Sequence, residues 1–230
     1  MYPATSLTPD VLAALRRIPS PTVANAIERF GLRSKTEGVT GPGVLCQFPE
    51  IGPLVGYAAT LTVRSAEPPR QKPPPRKASW DSVLTVPEPR IVVAEELDRP
   101  PGGAFWGEVN ASIHQALGCA GVLTNGTVRD LEEVRRLGFQ FWAAGVEVSH
   151  GYARMESFGE PVTVFGMAVR PGDLIHADRH GAVVIPAAVA REVAAACRAV
   201  DEYERPMLEL CRGGEFTTAK MAELLRDPTT

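Results

Sequence analysis

A chain of 230 residues, 44% hydrophobic and 22% charged, lies in the size range of one α/β domain with a substantial buried core. A formal net charge of −3 argues against a nucleic-acid partner, which demands a basic footprint. No apolar run approaches the ~20 residues of a membrane span, and MYPATSLTPD has no signal-peptide core, so a soluble cytoplasmic protein without membrane contact is expected.

The first predicted element is a short helix over residues 9–18, opened by Pro9-Asp10. A second helix follows in SPTVANAIERFG, with Pro21 near its start and Gly31 past its end. From Gly38 to Gly56 the chain is rich in Gly and Pro without a period and reads as loop. VGYAATLTVRS (55–65) is β-branched and predicts a strand. EPPRQKPPPRK (67–77), with its prolines and four cations, predicts an extended, solvated spacer rather than a docking ligand or a domain boundary.

RIVVAEEL (90–97) predicts a central strand feeding the loop DRPPGGAFWG. Val109, Ile113, Ala116 and Leu117 then recur at helical spacing as one apolar face, and Gly118 supplies a stop. Cys119–Thr124 reads as a buried strand, Asn125-Gly126 as a turn, and Leu131 to Gly138 as another helix. FQFWAAGV (139–146) reads as a strand and SHGYARMES as loop. PVTVFG and MAVRPGDLIHA predict strands meeting at Gly166, with Pro171-Gly172-Asp173 a tight turn. GAVVIP is a last strand, Ala187–Glu204 a long helix, and Thr217 or Thr218 caps a final short one.

Strands without strict βα alternation predict a mixed α/β fold. The expected organisation is a single domain over 1–230, with N-terminal helices (about 9–31) and C-terminal helices (about 187–226) packing on it. Cys46, Cys119, Cys197 and Cys211 have no CxxC spacing and read as buried or incidental thiols.

The chemistry concentrates in WGEVNASIHQALGCAGVLTNGTVRDLEEVRRLG, residues 106–138. Glu108 precedes Arg129-Asp130 by a gap of twenty residues, which a crossover helix and a strand fill. If that crossover returns the chain beside its starting point, the three side chains meet at one rim. Glu108 would sit at a helix N-terminus, where amides favour anions. Arg129 offers a planar fork for a carboxylate, and Asp130 a hard oxygen for a divalent ion. The first-turn amides of Gly107, Glu108, Val109 and Asn110 lack intrahelical partners and are candidate substrate donors. A second role competes for Asp130, because Asp130 and Glu133 fit a capping box.

Other polar groups carry weaker signals. His176 and His180 flank Asp178 but lie between strand-like runs, where their rings need not face one way, so no zinc site is assigned. Asp178 could only help to shape the pocket. His150 could reach the pocket from a neighbouring loop but reads rather as a satisfied polar histidine, and His114 receives no role.

The acid, the twenty-residue gap and the Arg-Asp pair resemble the signature of the RraA-like family, which includes metal-dependent 4-hydroxy-4-methyl-2-oxoglutarate / 4-carboxy-4-hydroxy-2-oxoadipate aldolases. The resemblance runs from about Pro21 to Pro186 through PPGGAFWGE, TNGTVRDLEEVRRLGF and RPGDLIHADRHGAVVIP. It departs from the family at Glu108 and Asn25, where relatives usually carry aspartate; Glu108 keeps the charge, whereas Asn25 loses it and receives no chemistry. The resemblance implies a swivelling β/β/α domain assembled as a homotrimer or homohexamer. It also implies a class II pyruvate aldolase with oxaloacetate decarboxylase activity and Mg²⁺ or Mn²⁺ on Asp130. Arg129 would clamp the 2-oxo acid and its enolate, while Glu108 would orient a proton-shuttling water. A carboxylate borrowed from a neighbouring subunit would map near Glu202 or Glu204. The alternative within the family is a non-catalytic modulator of RNase E; such relatives lack the aspartate of the Arg-Asp pair, so Asp130 favours the enzyme.

Overall fold

The computed structural model describes residues 6–225. Helices α1 (Pro9–Leu15) and α2 (Ser20–Glu28) both carry proline in the first turn, where its missing N–H has no helical acceptor to lose. Strand β1 (Leu45–Cys46) and a 3₁₀ turn (Pro49–Ile51) lie within the expected loop, ahead of the long β2 (Leu54–Arg64). Helix α3 (Arg76–Leu84), which the sequence pattern did not reveal, starts at the end of the proline run. There follow β3 (Arg90–Glu96), α4 (Glu108–Ala116), β4 (Cys119–Thr124), β5 (Thr127–Val128) and α5 (Leu131–Leu137).

The expected strand over 139–146 is two strands, β6 (Gln140–Ala143) and β7 (Gly145–Val146). The expected loop after it ends in a third, β8 (Arg154–Phe158), whose Leu61–Phe158 and Arg64–Arg154 pairings fasten it to β2. No period-2 apolar pattern marked β8, because tertiary pairing rather than local propensity makes it a strand. β9 (Val162–Val164) and β10 (Met167–Val169) form the predicted hairpin, with Phe165 and Gly166 both at positive φ in its turn. β11 (Leu174–Asp178) and β12 (Gly181–Ile185) close the strand set.

The C-terminal helix begins later than expected. Residues 187–192 form turns, and α6 (Val193–Arg212) runs through Pro206 before α7 (Thr218–Leu224). Its buried residues, Val193, Ala194, Cys197 and Val200, all belong to the first half. As expected, Thr217 caps α7, its hydroxyl accepting from the Lys220 amide at 3.2 Å.

The main sheet runs β1-β6-β4-β3-β2-β11-β12, with β8 as a further partner of β2, and curls into a nearly closed barrel. β2, β3, β4 and β6 are parallel; β1, β8, β11 and β12 join antiparallel. Both faces are covered, so successive residues of one strand enter different cores. Ile91 and Val93 pack with Trp142, Ile175 and the β9–β10 hairpin. Val92 and Ala94 pack with Phe141 and the helix residues Leu15, Val23, Val134 and Val193. The result is an α/β fold with helices on one side of the sheet and a β-hairpin on the other.

Candidate active site

The parallel strands deliver their following loops to one end of the sheet, the end where open α/β sheets bind ligands. The loop after β3 leads through Ala104 and Trp106 into α4. The turn after β4 leads into Arg129-Asp130, and the chain after β7 passes through His150. These segments are laced by backbone hydrogen bonds: Arg129 N donates to the Trp106 carbonyl (2.9 Å), Ala104 N to Ser149 (2.9 Å) and Glu147 N to Val128 (3.0 Å). At Gly103 the two chains run so close that a methyl group would collide with the backbone of His150 and Gly151. Glycine is therefore required there by contact rather than by φ.

Together they enclose a cleft of about 290 Å³ lined by Ala104, Phe105, Gly107, Val109, Asn110, Arg129, Asp130, His150, Ala153 and Arg76. Five residues expected to form a site, Gly107, Val109, Asn110, Arg129 and Asp130, thus share one cavity wall. The side chain of Glu108 is exposed and is not among the lining residues; its contribution is its backbone amide. That amide donates to Asp130 Oδ2 at 3.0 Å.

This bond corrects the capping reading of Asp130. The residue precedes α5 in a left-handed conformation (φ 57°, ψ 44°) and makes no side-chain cap to that helix. Its carboxylate instead crosses to the N-terminus of α4, where the macrodipole and an orphan amide both favour an anion. A non-glycine residue held at positive φ costs of order 1 kcal/mol and persists only where the surroundings fix it. Gly107 makes room for the arrangement, since any Cβ there would fall closer than 3.0 Å to Asp130 Oδ2.

Arg129 Nε lies 3.6 Å from the same carboxylate oxygen, with the two side chains 37% and 35% exposed. The two terminal guanidinium nitrogens of Arg129 have no hydrogen-bond partner among the described residues. The amides of Val109 and Asn110 likewise have none outside their helix, while Asn110 Nδ2 is committed to the Phe105 carbonyl at 2.6 Å. The cleft therefore presents a free cationic fork, free helix-terminal amides and an anchored carboxylate.

α4 buries a different face from the one its sequence pattern suggested. Ala111 and His114 are its buried residues, whereas Val109 is 68% exposed at the cleft. His114 packs edge-on against the buried Trp106, ring centroids 4.7 Å apart, and donates from Nδ1 to the Asn110 carbonyl at 2.8 Å. Burial lowers its pKa despite that bond.

For a divalent cation, the test is the donor set. Among the described residues no cluster of three or more His, Cys, Asp or Glu could hold an ion. That composition does not suit structural zinc. It does suit an ion that keeps most of its water and takes one or two carboxylates, with Asp130 Oδ1 free of hydrogen bonds among the described residues. His176 and His180 do not face one way. His176 is fully buried between the Leu15 carbonyl (3.0 Å) and Ser20 Oγ (2.9 Å), while His180 is exposed and caps Asp178. Burial pushes the Cys119 thiol up to about 12 and Cys197 to about 11, which suits packing and not nucleophilic chemistry.

Of two further cleft residues, His150 was weighed from the sequence as able to reach the pocket but read instead as a satisfied polar histidine, and Arg76 was not singled out. His150 has no side-chain partner among the described residues and faces the cavity. Arg76 arrives from the proline-rich run because α3 begins there, and Pro75 at its N-cap was the available signal.

A 25% identical protein of Halalkalibacterium halodurans, matched over 178 residues and 77% of each chain, is provisionally named a 4-hydroxy-4-methyl-2-oxoglutarate aldolase. Protein DlpA of Legionella pneumophila is 30% identical over 83 residues; the match covers 35% of this chain and 14% of DlpA. Among solved structures, an uncharacterised protein of Pseudomonas syringae pv. tomato superposes with a TM-score of 0.74 at 23% identity over 98% of both chains. RraAS2 of Streptomyces coelicolor, described as an unusual member of the RNase ES inhibitor RraA family, superposes at 0.66 with 24% identity, over 88% of this chain and 98% of that one. The family model RraA-like, Aldolase/RraA, matches residues 20–184, so the chain belongs to the RraA-like family.

Proposed function

We propose that the protein is a carbon–carbon lyase that cleaves a 4-hydroxy-2-oxo dicarboxylic acid to pyruvate. The observation that carries the reading is the free fork of Arg129, set beside a carboxylate anchored on the α4 N-terminus. Arg129 binds the C1 carboxylate and the 2-oxo oxygen, and the amides of Val109 and Asn110 add donors to the same anion. When the C3–C4 bond breaks, its electron pair remains on C3 and spreads to the 2-oxo oxygen. Arg129 then faces more negative charge than in the ground state, which is the condition for rate acceleration. The proton leaves the 4-hydroxyl and returns to C3 through water, with His150 in the lining and Glu108 at the rim as the flanking groups.

Asp130 is the residue that would hold Mg²⁺ or Mn²⁺. A cation there would supply Lewis-acid polarisation of the 2-oxo group. Arg129 has an equivalent duty in oxaloacetate decarboxylation, which passes through the same enolate, so that activity is included in the proposal. The assembled state is proposed as a homotrimer or homohexamer. The exposed apolar side chains Val109, at the cleft, and Val146 and Val148, on the segment leading to His150, support a second copy on this surface, which sedimentation velocity would detect.

The test is pyruvate release from oxaloacetate and from 4-hydroxy-4-methyl-2-oxoglutarate, with Mg²⁺ or EDTA, for the native chain and Asp130→Asn. Asparagine tolerates the left-handed conformation and keeps an acceptor for the Glu108 amide, so it isolates the charge. Turnover that survives both chelation and Asp130→Asn would sink the metal-assisted reading. Absence of turnover and of pyruvate binding would leave the non-catalytic regulator as the better account.

A further inference from the structure

A second cavity of about 150 Å³ adjoins the cleft, and Arg76, Phe105, Asn110 and Ala153 line both. Its own walls are Leu61, Pro73, Pro74, Trp80 and Met155. The proline-rich stretch thus has two parts: residues 67–72 are exposed, whereas Pro73 and Pro74 are half-buried and help to wall this annex.

Four polar side chains of the annex are engaged within the protein. Ser79 Oγ donates to the Arg76 carbonyl (2.7 Å), Asn110 Nδ2 to Phe105 (2.6 Å), and His114 Nδ1 to Asn110 (2.8 Å). Arg154 is tied to Glu156 at 2.6 Å. Three lining groups have no partner among the described residues: the Arg76 guanidinium, shared by the linings of both cavities, and the ring nitrogens Trp80 Nε1 and His114 Nε2. The annex therefore offers an incoming group apolar and aromatic surface, one cation and two ring nitrogens at its walls. A cavity of roughly 150 Å³ accepts a benzene-sized group.

Resting on the retro-aldol reading of the cleft, we propose that this annex selects 4-hydroxy-2-oxoglutarates carrying a ring-sized apolar substituent at C4. The ring enters between Trp80, Pro73 and Met155. Arg76 takes the C5 carboxylate, while Arg129 takes the C1 carboxylate in the cleft. Cleavage breaks C3–C4, leaves the electron pair on C3, and converts C4 and its hydroxyl to a ketone as the hydroxyl proton departs. Protonation of C3 completes pyruvate, so the products are pyruvate and an aryl-2-oxo acid with no other reactant.

The experiment measures binding of pyruvate and of phenylpyruvate by titration calorimetry with Mg²⁺ present. The native chain, Trp80→Ala and Ala153→Leu are compared, alongside pyruvate release from oxaloacetate and 4-benzyl-4-hydroxy-2-oxoglutarate. Burying a phenyl ring predicts phenylpyruvate tighter than pyruvate by about 10- to 100-fold. Both variants should bring that ratio to within about 3-fold, Trp80→Ala by removing a wall and Ala153→Leu by filling the mouth. Equal native affinities, or a ratio that neither variant changes, would overturn the annex while oxaloacetate turnover keeps the cleft intact. No binding of either acid together with no turnover of oxaloacetate would overturn both readings.

Discussion

Replacing Gly107 with alanine probes the anchoring of Asp130 while leaving both charged side chains in place. Gly107 has φ −153° and ψ −166°, extended backbone open to any residue, so the substitution adds no conformational strain. What it adds is a methyl closer than 3.0 Å to Asp130 Oδ2, 3.1 Å from Arg129 Cγ and 3.2 Å from Asp130 Cγ. The carboxylate must retreat by about 1 Å, and a displacement of that size in a reacting constellation costs about 10²-fold in rate. Stability should respond far less. The lost bond is a charge-assisted one at a third-exposed site, worth about 1 kcal/mol, or roughly 2–4 °C in melting temperature for a chain of this size. The assay pairs kcat/KM for oxaloacetate with thermal denaturation followed by circular dichroism. Activity within about 3-fold of native would refute the claim that the Glu108 amide sets the carboxylate's position. A loss of 10 °C or more would show that the contact serves folding instead.

Arg129→Lys keeps the charge but replaces a planar fork with a point donor, and should lower kcat/KM for oxaloacetate by about 10²- to 10³-fold; a change under about 3-fold would remove Arg129 from the clamp. The pH dependence of stability follows from buried groups. Burial lowers the pKa of His114 and His176 below the ordinary histidine value, although hydrogen bonds to the Asn110 and Leu15 carbonyls oppose the shift. Below about pH 6.5 the unfolded chain binds protons that these folded imidazoles refuse, so stability should fall as pH drops through that value. Burial would raise Asp178, but the Ser20 and His180 amides and the His180 ring outweigh it and hold its carboxyl below the usual range. Its contribution is present above about pH 4 and lost below, giving a second decline. Urea midpoints measured from pH 8 to pH 3 test both steps, and a midpoint constant from pH 7.5 to pH 5 would contradict the first.

Much of the central architecture was legible because its signals are local. β-branched runs marked β2, β3 and β12, a short apolar run marked β4, and glycine stops marked the ends of α4 and α5. The spacing between Glu108 and Arg129-Asp130 suggested that the two segments lie side by side, and the helix and strand between them do return the chain to the same end of the sheet, where Gly107 and Asp130 line one cleft. What was not legible depended on partners remote in sequence. β8 is a strand because β2 is there to pair with it, and α4 turns His114 inward because Trp106 offers it a ring to pack on. The local pattern of Asp130 and Glu133 pointed to a cap on α5. A nearer orphan amide, that of Glu108, won the carboxylate instead.

Sequence by itself determined the element types along most of the chain, the family and which side chains could do chemistry, because periodicity, turn residues and spacing are properties of neighbours on the chain. Tertiary structure alone decided which groups share a cavity. It gave Glu108 an amide role toward Asp130, brought His150 and Arg76 to the cleft, and placed two prolines against the annex. Those outcomes depend on how loops from different strands close on one another, and no local pattern encodes that closure.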